Sequence, residues 1–160
     1  MEALWAPWRM EFIQGHEEGE ECIFCVKPRQ QDRLRQNLVL TRGPHAFVIL
    51  NRYPYNNGHL MVIPNRHTAA LESLEQAEIL EIHSLLGHSI EALRSEYRAD
   101  GFNVGMNLGR VAGAGITGHL HYHLVPRWTG DTNFMPVLGE TKSLPEHLLK
   151  TYDRLAPHYR

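Results

Sequence analysis

Histidines occupy every second position between residues 119 and 123, where the chain reads His-Leu-His-Tyr-His. Successive side chains of a β-strand point to opposite faces of the sheet, so a strand here places His119, His121 and His123 on one face. A neutral imidazole is a competent nucleophile near pH 7, because its unperturbed pKa is about 6.5. We therefore predict that one histidine of this row attacks an extended polyanion, while its neighbours donate hydrogen bonds to phosphate oxygens or to the leaving group.

Two other interpretations of the histidine row lead to different chemistry. A metal hydrolase would need several imidazoles on one ion, but the Cα atoms of His119 and His123 would be roughly 13 Å apart on a strand. Two neighbouring histidines could share a metal, whereas three in line are poorly placed to do so. A polar strand face without a chemical role is the other alternative, since a chain with 11 histidines can produce such a triplet by chance.

A glycine-rich segment runs directly into the row. Four glycines lie between residues 109 and 118, so this segment must be a loop. Glycines allow main-chain N–H groups to approach phosphate oxygens closely. A Gly-x-Gly sequence alone is more often a simple turn, but directly before a histidine row it predicts a phosphate-binding loop.

The composition is that of an ordinary folded protein, with 42% hydrophobic and 21% charged residues among 160, and it predicts one domain over residues 1–160. A net charge of −2 provides no basic field for nucleic acid, so we expect no such partner. No apolar run reaches the length of a membrane span, and no signal peptide is recognisable, so we expect no membrane partner and a cytoplasmic location. No organic cofactor is expected.

The remaining pattern predicts an α+β domain with a largely antiparallel sheet. Ser73 and Gln76 fit a capping box, and the apolar residues after them recur at three- and four-residue spacing, which predicts a helix over 73–98. Residues 129–160 are expected to form a C-terminal extension with a helix from about 143 to 157. The predicted strands cover residues 46–50, 59–63, 102–108 and 120–126.

Residues 1–44 are expected to be irregular, and they contain a Cys-x-x-Cys pair at Cys22 and Cys25. The pair is interpretable as two unremarkable thiols, as a local redox pair or as half of a metal site. A thioredoxin-type redox pair is expected beside a βαβ pattern, and the sequence shows none. A metal site needs further ligands from distant parts of the chain, which its histidines could supply.

The histidine row and its surroundings resemble the histidine triad (HIT) superfamily, in which histidines alternate with apolar residues. Residues 119–125 match that signature at every position, and the resemblance extends to Asn51, to the segment Gly58-His59-Leu-Met-Val-Ile-Pro64 and to Asn107. It covers about residues 22–127. The resemblance implies a sheet of about five antiparallel strands with flanking helices, and a homodimer that joins two sheets into one.

The resemblance also implies roles for individual residues. His121 would be the nucleophile that forms a covalent nucleotidyl-histidine intermediate, and His123 and His59 would contact phosphate or steady that intermediate. Asn51 would bind the ribose hydroxyls. Many members carry a polar Gln-Ser or Gln-Thr pair before the triad, which here is Gly-Ile, and this leaves open whether water, phosphate or an amine completes the reaction. The residues that would hold the α-phosphate are Asn107 and the main chain at Gly113, Gly115 and Ile116.

The flanking segments resemble a narrower bacterial branch of the family, the diadenosine tetraphosphate phosphorylases and hydrolases. This resemblance implies an enzyme that cleaves an adenylated substrate, a diadenosine polyphosphate, at its α-phosphorus. An adenylyl phosphoramidate hydrolase and a nucleotide-binding regulatory protein with little turnover are the alternatives. The matching segments are residues 4–9, 113–116, 126–128 and 130–134.

The Cys pair resembles a zinc-binding pair in the galactose-1-phosphate uridylyltransferases, which are relatives of the triad family. There the pair binds zinc together with a distant histidine and the first histidine of the motif. The corresponding ligands here are Cys22, Cys25, His67 and His119, with His45 as the alternative to His67. Such a zinc would be structural, because it would hold the N-terminal segment against the catalytic strand without touching the substrate.

Overall fold

The computed structural model of the protein describes residues 21–131 and 146–160. Three α-helices and five strands form this part of the chain, with short 3-10 turns between them. The helices are α1 (Ile23–Val26), α2 (Gln76–Tyr97) and α3 (Leu148–Leu155). The strands are β1 (Val39–Arg42), β2 (Ala46–Leu50), β3 (Leu60–Pro64), β4 (Gly101–Gly105) and β5 (Tyr122–Arg127).

The described strands form one antiparallel sheet in the order β1-β2-β3-β5-β4. Strand β5 lies between β3 and β4, where Met61 and Gly105 each pair with His123. The C-terminal half of the histidine row is therefore held from both sides by backbone hydrogen bonds. The predicted α+β fold, with a five-stranded antiparallel sheet and flanking helices, is confirmed.

Every residue of β2 and β3 is buried, because side chains cover both faces of these central strands. Helix α2 packs on β2 and β3 with a stripe that includes Ile82, Leu86 and Leu93. Strands buried on both faces read as continuous apolar runs, which is how they are recognisable in the sequence. This packed centre is the rigid base on which the histidine row is mounted.

Two predicted elements need correction. Residues 1–44 are not irregular throughout, since α1 and the edge strand β1 lie within them. Helix α2 begins at Gln76 rather than at 73, and its capping box joins Glu75 and Glu78 instead of Ser73 and Gln76. Ser73 lies in a 3-10 turn, where its hydroxyl donates to the Ala70 carbonyl at 2.8 Å and is not available to cap the helix.

Three of the predicted strands are shifted by one to three residues at their ends. The C-terminal helix α3 begins at Leu148 with His147 as its N-cap, and a 3-10 turn follows it from Ala156 to Tyr159. The predicted start of this helix at residue 143 lies outside the described residues, as do residues 4–9. Among the helices that the structure describes, none is both long and apolar enough to cross a membrane.

Candidate active site and metal centre

His121 is buried, and of the three histidines that the sequence assigns to catalysis only His59 is less exposed. Its side chain is 6% exposed, and its Nδ1 lies 2.8 Å from the carbonyl oxygen of His119. A carbonyl only accepts, so Nδ1 carries the proton and Nε2 keeps its lone pair. Burial lowers the pKa of His121, and the bond to the His119 carbonyl offsets this only in part. The ring is therefore held neutral with a nucleophilic Nε2.

His59 and His123 form a close pair beside this nucleophile. Nε2 of His59 lies 2.9 Å from Nδ1 of His123, and the rings of His121 and His123 are 5.0 Å apart. Met61 stands opposite His123 in the sheet. His59 lies two residues before Met61, just outside β3, so the alternation of side chains directs it to the same face. The structure thus brings together the three residues predicted to be catalytic.

The turn between β2 and β3 places Asn51 against this pair. The main-chain N–H of Asn51 donates to the His59 carbonyl at 2.9 Å, and its side-chain nitrogen lies 3.4 Å from Nδ1 of His59. The turn closes at Gly58, whose φ is +75° and whose Cβ, if present, would lie 2.8 Å from a methyl group of Leu93. Only glycine fits at position 58, because a side chain would be strained at this φ and would collide with Leu93 of α2. The close packing of the turn against α2 positions His59, the next residue.

Across the site, Asn56 fastens the same turn to the far end of β5. Its side-chain amide donates to the Pro126 carbonyl at 3.2 Å and to the Asp131 carboxylate at 2.8 Å. Arg127 donates to both carboxylate oxygens of Asp131, at 2.6 and 2.8 Å. These bonds from Arg127 hold the pKa of Asp131 far below its usual value. The ionised carboxylate is therefore a stable anchor for the turn.

The glycine loop lies between β4 and the histidine row. Asn107 donates to the Gly113 carbonyl at 3.2 Å, and Gly113 has a φ of +90°, which glycine adopts without strain. Ile116 packs its side chain against the core, while Gly115 is half-buried. Asn107 stands two residues beyond Gly105, the partner of His123 in the sheet, so the loop begins beside the catalytic row.

The first histidine of the row has different partners, because its Nδ1 lies beside the Cys pair. Nδ1 of His119 lies 3.4 Å from the Cys22 sulfur and 3.6 Å from the Cys25 sulfur, and Nδ1 of His67 lies 3.4 Å from Cys25. The four ligand atoms all lie within 4.8 Å of one another. They form a group that could hold a metal ion. His45, the alternative to His67, is not part of it.

The chemistry of this group fits a cation. Nε2 of His119 donates to the Pro64 carbonyl at 2.9 Å, which leaves Nδ1 unprotonated, as in histidines that ligate metals. Burial lowers the pKa of His119 and so keeps its ring neutral. Burial and the neighbouring Cys22 raise the pKa of the Cys25 thiol, so two thiolates here need a positive charge to offset them.

Neighbouring residues hold His67 in this position from both sides. Arg66 forms a two-pronged ion pair with Glu78 at 3.0 and 2.6 Å, and Glu78 also accepts from the main-chain N–H of Glu75 at 2.8 Å. On the other side, the Thr68 carbonyl accepts from the main-chain N–H of Leu120 at 2.7 Å. The segment that carries His67 is therefore tied both to α2 and to the histidine row.

Two aromatic residues at the site escaped the sequence analysis. Phe24 places its ring 5.6 Å from that of His119 and 5.3 Å from that of His121. Tyr55 lies 4.7 Å from the His59 ring. Phe24 lies between Cys22 and Cys25, so a metal site that includes His119 would have placed it near the histidine row. No pattern in the sequence singles out Tyr55.

A family model described as HIT domain matches residues 34–130. This chain belongs to the HIT domain family. A Mycobacterium tuberculosis protein named AP-4-A phosphorylase is 37% identical to it over 165 residues, which cover 99% of this chain and 85% of that protein. The predicted family membership is confirmed, and so is the prediction of an enzyme of the histidine triad class of nucleotide hydrolases and phosphorylases.

Solved structures show the same HIT fold. A hypothetical histidine triad nucleotide-binding protein from Sulfolobus tokodaii is 26% identical, with a TM-score of 0.65, and the match covers 86% of this chain and 88% of that one. A Zn-bound histidine triad family protein from Mycobacterium smegmatis is 22% identical, with a TM-score of 0.65 and coverage of 86% and 92%.

Proposed function

We propose that this HIT domain enzyme cleaves a diadenosine polyphosphate, such as diadenosine tetraphosphate, at an α-phosphorus through a nucleotidyl-histidine intermediate. The observation that carries the proposal is the buried His121 ring, whose Nδ1 faces the His119 carbonyl at 2.8 Å and whose Nε2 is left as the nucleophile. The 37% identical AP-4-A phosphorylase supports the choice of substrate.

The remaining predicted site residues divide the work of holding the substrate. His123 and His59 contact the phosphates and the leaving group. Asn51 binds the ribose hydroxyls, since it stands at the edge of the site beside His59. The α-phosphate is held by Asn107 and by main-chain N–H groups of the glycine loop, at Gly113, Gly115 and Ile116.

Product analysis after incubation with diadenosine tetraphosphate, with and without inorganic phosphate, tests this function. Attack of phosphate on the adenylylated histidine releases ADP beside ATP, and attack of water releases AMP beside ATP. We expect ATP in both cases and ADP when phosphate is supplied. Absence of ATP from both reactions would reject the proposed substrate. If the enzyme released AMP efficiently from adenosine 5′-phosphoramidate but did not cleave diadenosine tetraphosphate, the phosphoramidate hydrolase would be favoured.

We propose further that Cys22, Cys25, His67 and His119 hold a structural zinc ion. The ligand atoms of a tetrahedral zinc site lie about 3.3 to 3.8 Å apart, and the measured distances of 3.4 and 3.6 Å between sulfur and nitrogen fall in that range. When bound, the ion would neutralise the two thiolates and join α1 to the segment that carries the histidine row just before β5. It would take no part in bond making, because both ring nitrogens of His119 are engaged by the Cys pair and the Pro64 carbonyl.

We also propose that the enzyme is a homodimer joined through β4. The other edge strand, β1, is covered, since Tyr152 donates to the Val39 carbonyl at 3.1 Å and Val39 is fully buried. Strand β4 instead presents Val104, which is 49% exposed. An edge strand that pairs on one side only with the residues that the structure describes is a ready site for pairing on the other. Light scattering should show a dimer that Val104→Lys dissociates; a monomeric wild type or a dimeric variant would reject this edge.

The single domain over residues 1–160 and the cytoplasmic location remain predictions. Helix α3 supports the first, because Leu155 is part of the same core as the sheet strands. Tyr152 on that helix also binds the edge of the sheet through Val39. Protease digestion should leave the C-terminal extension attached to the body if the prediction is correct.

A further inference from the structure

Thr151 of α3 is a buried polar residue without a role in the function proposed above. It is 1% exposed, and its hydroxyl donates to the Glu146 carboxylate at 2.9 Å and lies 3.4 Å from the amide oxygen of Asn57. Asn57 is itself buried and precedes His59 by two residues, in the turn between β2 and β3. A buried polar contact therefore joins the C-terminal helix to the turn that carries a candidate catalytic histidine.

The Glu146 carboxylate holds the Thr151 hydroxyl in this orientation. Tyr97 of α2 donates to the same carboxylate oxygen at 2.6 Å, and Arg154 donates to the other oxygen at 3.0 Å. Burial alone would raise the pKa of Glu146, but these hydrogen bonds outweigh it and lower that pKa. Arg154 also donates to Glu96 at 2.7 Å, which ties α3 to the end of α2. The hydroxyl is thus fixed by an ionised group that both helices contact.

The turn before His59 is held from three sides. Asn56 donates to the end of β5, and Gly58 packs against α2. Between them, Asn57 is held by α3, and in the described part of the chain the Thr151 hydroxyl is the hydrogen-bond partner of its amide. The main-chain N–H of His59 donates to the Asn56 carbonyl at 3.1 Å, so a displacement of the turn also moves His59. A buried amide that loses its partner is costly, and this cost favours such a displacement.

We propose that Thr151 is a positioning residue of the candidate active site, because through Asn57 it fixes how His59 enters that site. Helix α3 then contributes to catalysis, although it does not touch the substrate. This inference rests on the proposed function, since it gives the C-terminal helix a task in the step that His59 assists. A displacement of about 1 Å can cost on the order of 100-fold in rate, so a contact at this distance from the reacting atoms is able to control kcat.

Thr151→Val tests the proposal, because valine has nearly the shape of threonine but lacks the hydroxyl. We expect kcat for diadenosine tetraphosphate to fall at least about tenfold and KM to change less than about twofold, since His59 acts mainly on charge that develops in the transition state. Thr151→Ser, which retains the hydroxyl, should restore most of the lost kcat. An unchanged kcat in Thr151→Val would overturn the proposal.

Leu155→Val is the matched control on the same helix. Leu155 is fully buried in the core, so its truncation destabilises the packing of α3 without removing the contact with Asn57. We expect Tm to fall, while kcat measured well below Tm stays near that of the wild type. Equal losses of kcat in Leu155→Val and Thr151→Val would overturn the proposal, because the hydroxyl would then act through stability alone.

Asn57→Leu removes the other partner of the contact. It should lower kcat to a similar extent as Thr151→Val, and the double variant should be no slower than the slower single variant, because both changes remove one interaction. Additive losses would show that Thr151 acts by another route and would overturn the proposal. If Thr151→Val does not fold, Asn57→Leu decides the inference against the Leu155→Val control.

NMR of the resting enzyme, labelled with ¹⁵N-histidine, reads the position of His59 without any turnover. We expect Thr151→Val to shift the ring signals of His59, Thr151→Ser to restore them, and the exposed His83 of α2 to stay unchanged in both. His59 signals that remain at their wild-type positions in Thr151→Val would overturn the inference even if diadenosine tetraphosphate is cleaved. Failure of every adenylated substrate to label the protein in rapid quench would instead reject the proposed function, and the NMR measurement would still decide the positioning.

Discussion

The two ends of the histidine row carry the same side chain and hold it in opposite ways. At the first end, His119 donates from Nε2 to the Pro64 carbonyl and turns Nδ1 towards two sulfur atoms. At the other end, His123 turns Nδ1 towards the His59 ring. The first arrangement leaves a lone pair for a cation, and the second joins two imidazoles of the candidate catalytic group.

His121 lies between these ends and differs from both, because its Nδ1 faces a carbonyl and carries the proton. The nitrogen that keeps the proton is therefore set at each position by partners outside the row. The alternating spacing predicts three imidazoles on one strand face, but only His123 lies within β5, and the spacing assigns none of their roles. The contrast implies that substitutions at the two ends fail differently, one in chemistry and the other in stability.

Removal of the nucleophile should have the largest effect. We expect His121→Gly to lower kcat for diadenosine tetraphosphate by at least about 10⁴-fold, the scale seen when a catalytic nucleophile is lost. Nucleotide binding should persist, because other residues hold the phosphates and the ribose. Steady-state kinetics and calorimetric titration with a nucleotide measure the two properties separately.

His83→Gln is the matched control for this substitution, since His83 lies exposed on α2, away from the row. Rapid quench of the wild type with a labelled adenylyl group should trap acid-labile label on the protein, and His121→Gly should trap none. Near-normal turnover by His121→Gly would show that the nucleophile has been assigned to the wrong residue.

At the opposite end of the row, substitution should cost stability before chemistry. We expect Cys22→Ser combined with Cys25→Ser to destabilise the fold by about 4 kcal/mol or more, as losses of structural metals do, and to remove about one zinc per subunit. Below its melting temperature the variant should retain measurable turnover. Elemental analysis of untagged protein measures the zinc content, and denaturant titration measures the free energy of unfolding. A wild type that is fully stable without zinc would show that this group is not a structural zinc site.

The sheet centre and the long helix were predictable because each has one dominant physical cause. Ala46–Leu50 is a continuous apolar run of a strand buried on both faces, and α2 shows the period of a helix with one packed face. Strand β1 was missed because its four residues follow a polar stretch and only two of them, Val39 and Leu40, are buried.

In the site, too, only the features with one dominant cause in the sequence could be predicted. The spacing predicts that three histidines share a face, and the resemblance implies that His59 and the Cys pair lie near them. The structure places His59 beside His123 and the Cys pair beside His119. Proton positions depend on contacts such as that of the Tyr55 N–H with His59 at 3.0 Å, and no side-chain pattern encodes a main-chain donor. Tyr55 was therefore beyond the reach of sequence analysis.

The support beneath the metal-binding end should contribute less than the ligands themselves. Glu78 is 5% exposed at its side chain and binds Arg66 at 2.6 Å, while also closing the capping box of α2. We expect Glu78→Gln to destabilise the fold by about 2 kcal/mol, because it weakens an ion pair whose carboxylate is buried and a helix cap together. Thermal unfolding measures the loss, with the exposed Glu91→Gln on the same helix as control.

The pH dependence of this difference has a defined sign. The hydrogen bonds from Arg66 lower the pKa of Glu78 below its ordinary value of 4.5. The stabilisation is therefore fully present above that ordinary value and is lost as the pH falls through the depressed one. The gap between wild type and Glu78→Gln should narrow on acidification. A gap that stays constant down to pH 2 would show that ionisation of Glu78 does not contribute.

Substitution of Phe24 should have the smallest effect on stability and activity. It also tests most directly whether the two ends of the histidine row act independently. Its ring touches those of both His119 and His121, so it is a direct side-chain link between the metal-binding end and the nucleophile. Phe24→Leu retains most of the buried apolar volume but loses the aromatic contacts, so we expect a cost of about 1 kcal/mol. If the ends act independently, zinc content should be unchanged and kcat should fall no more than about threefold, a factor worth less than 1 kcal/mol. Parallel loss of zinc and of activity would show instead that the two ends are coupled through this ring.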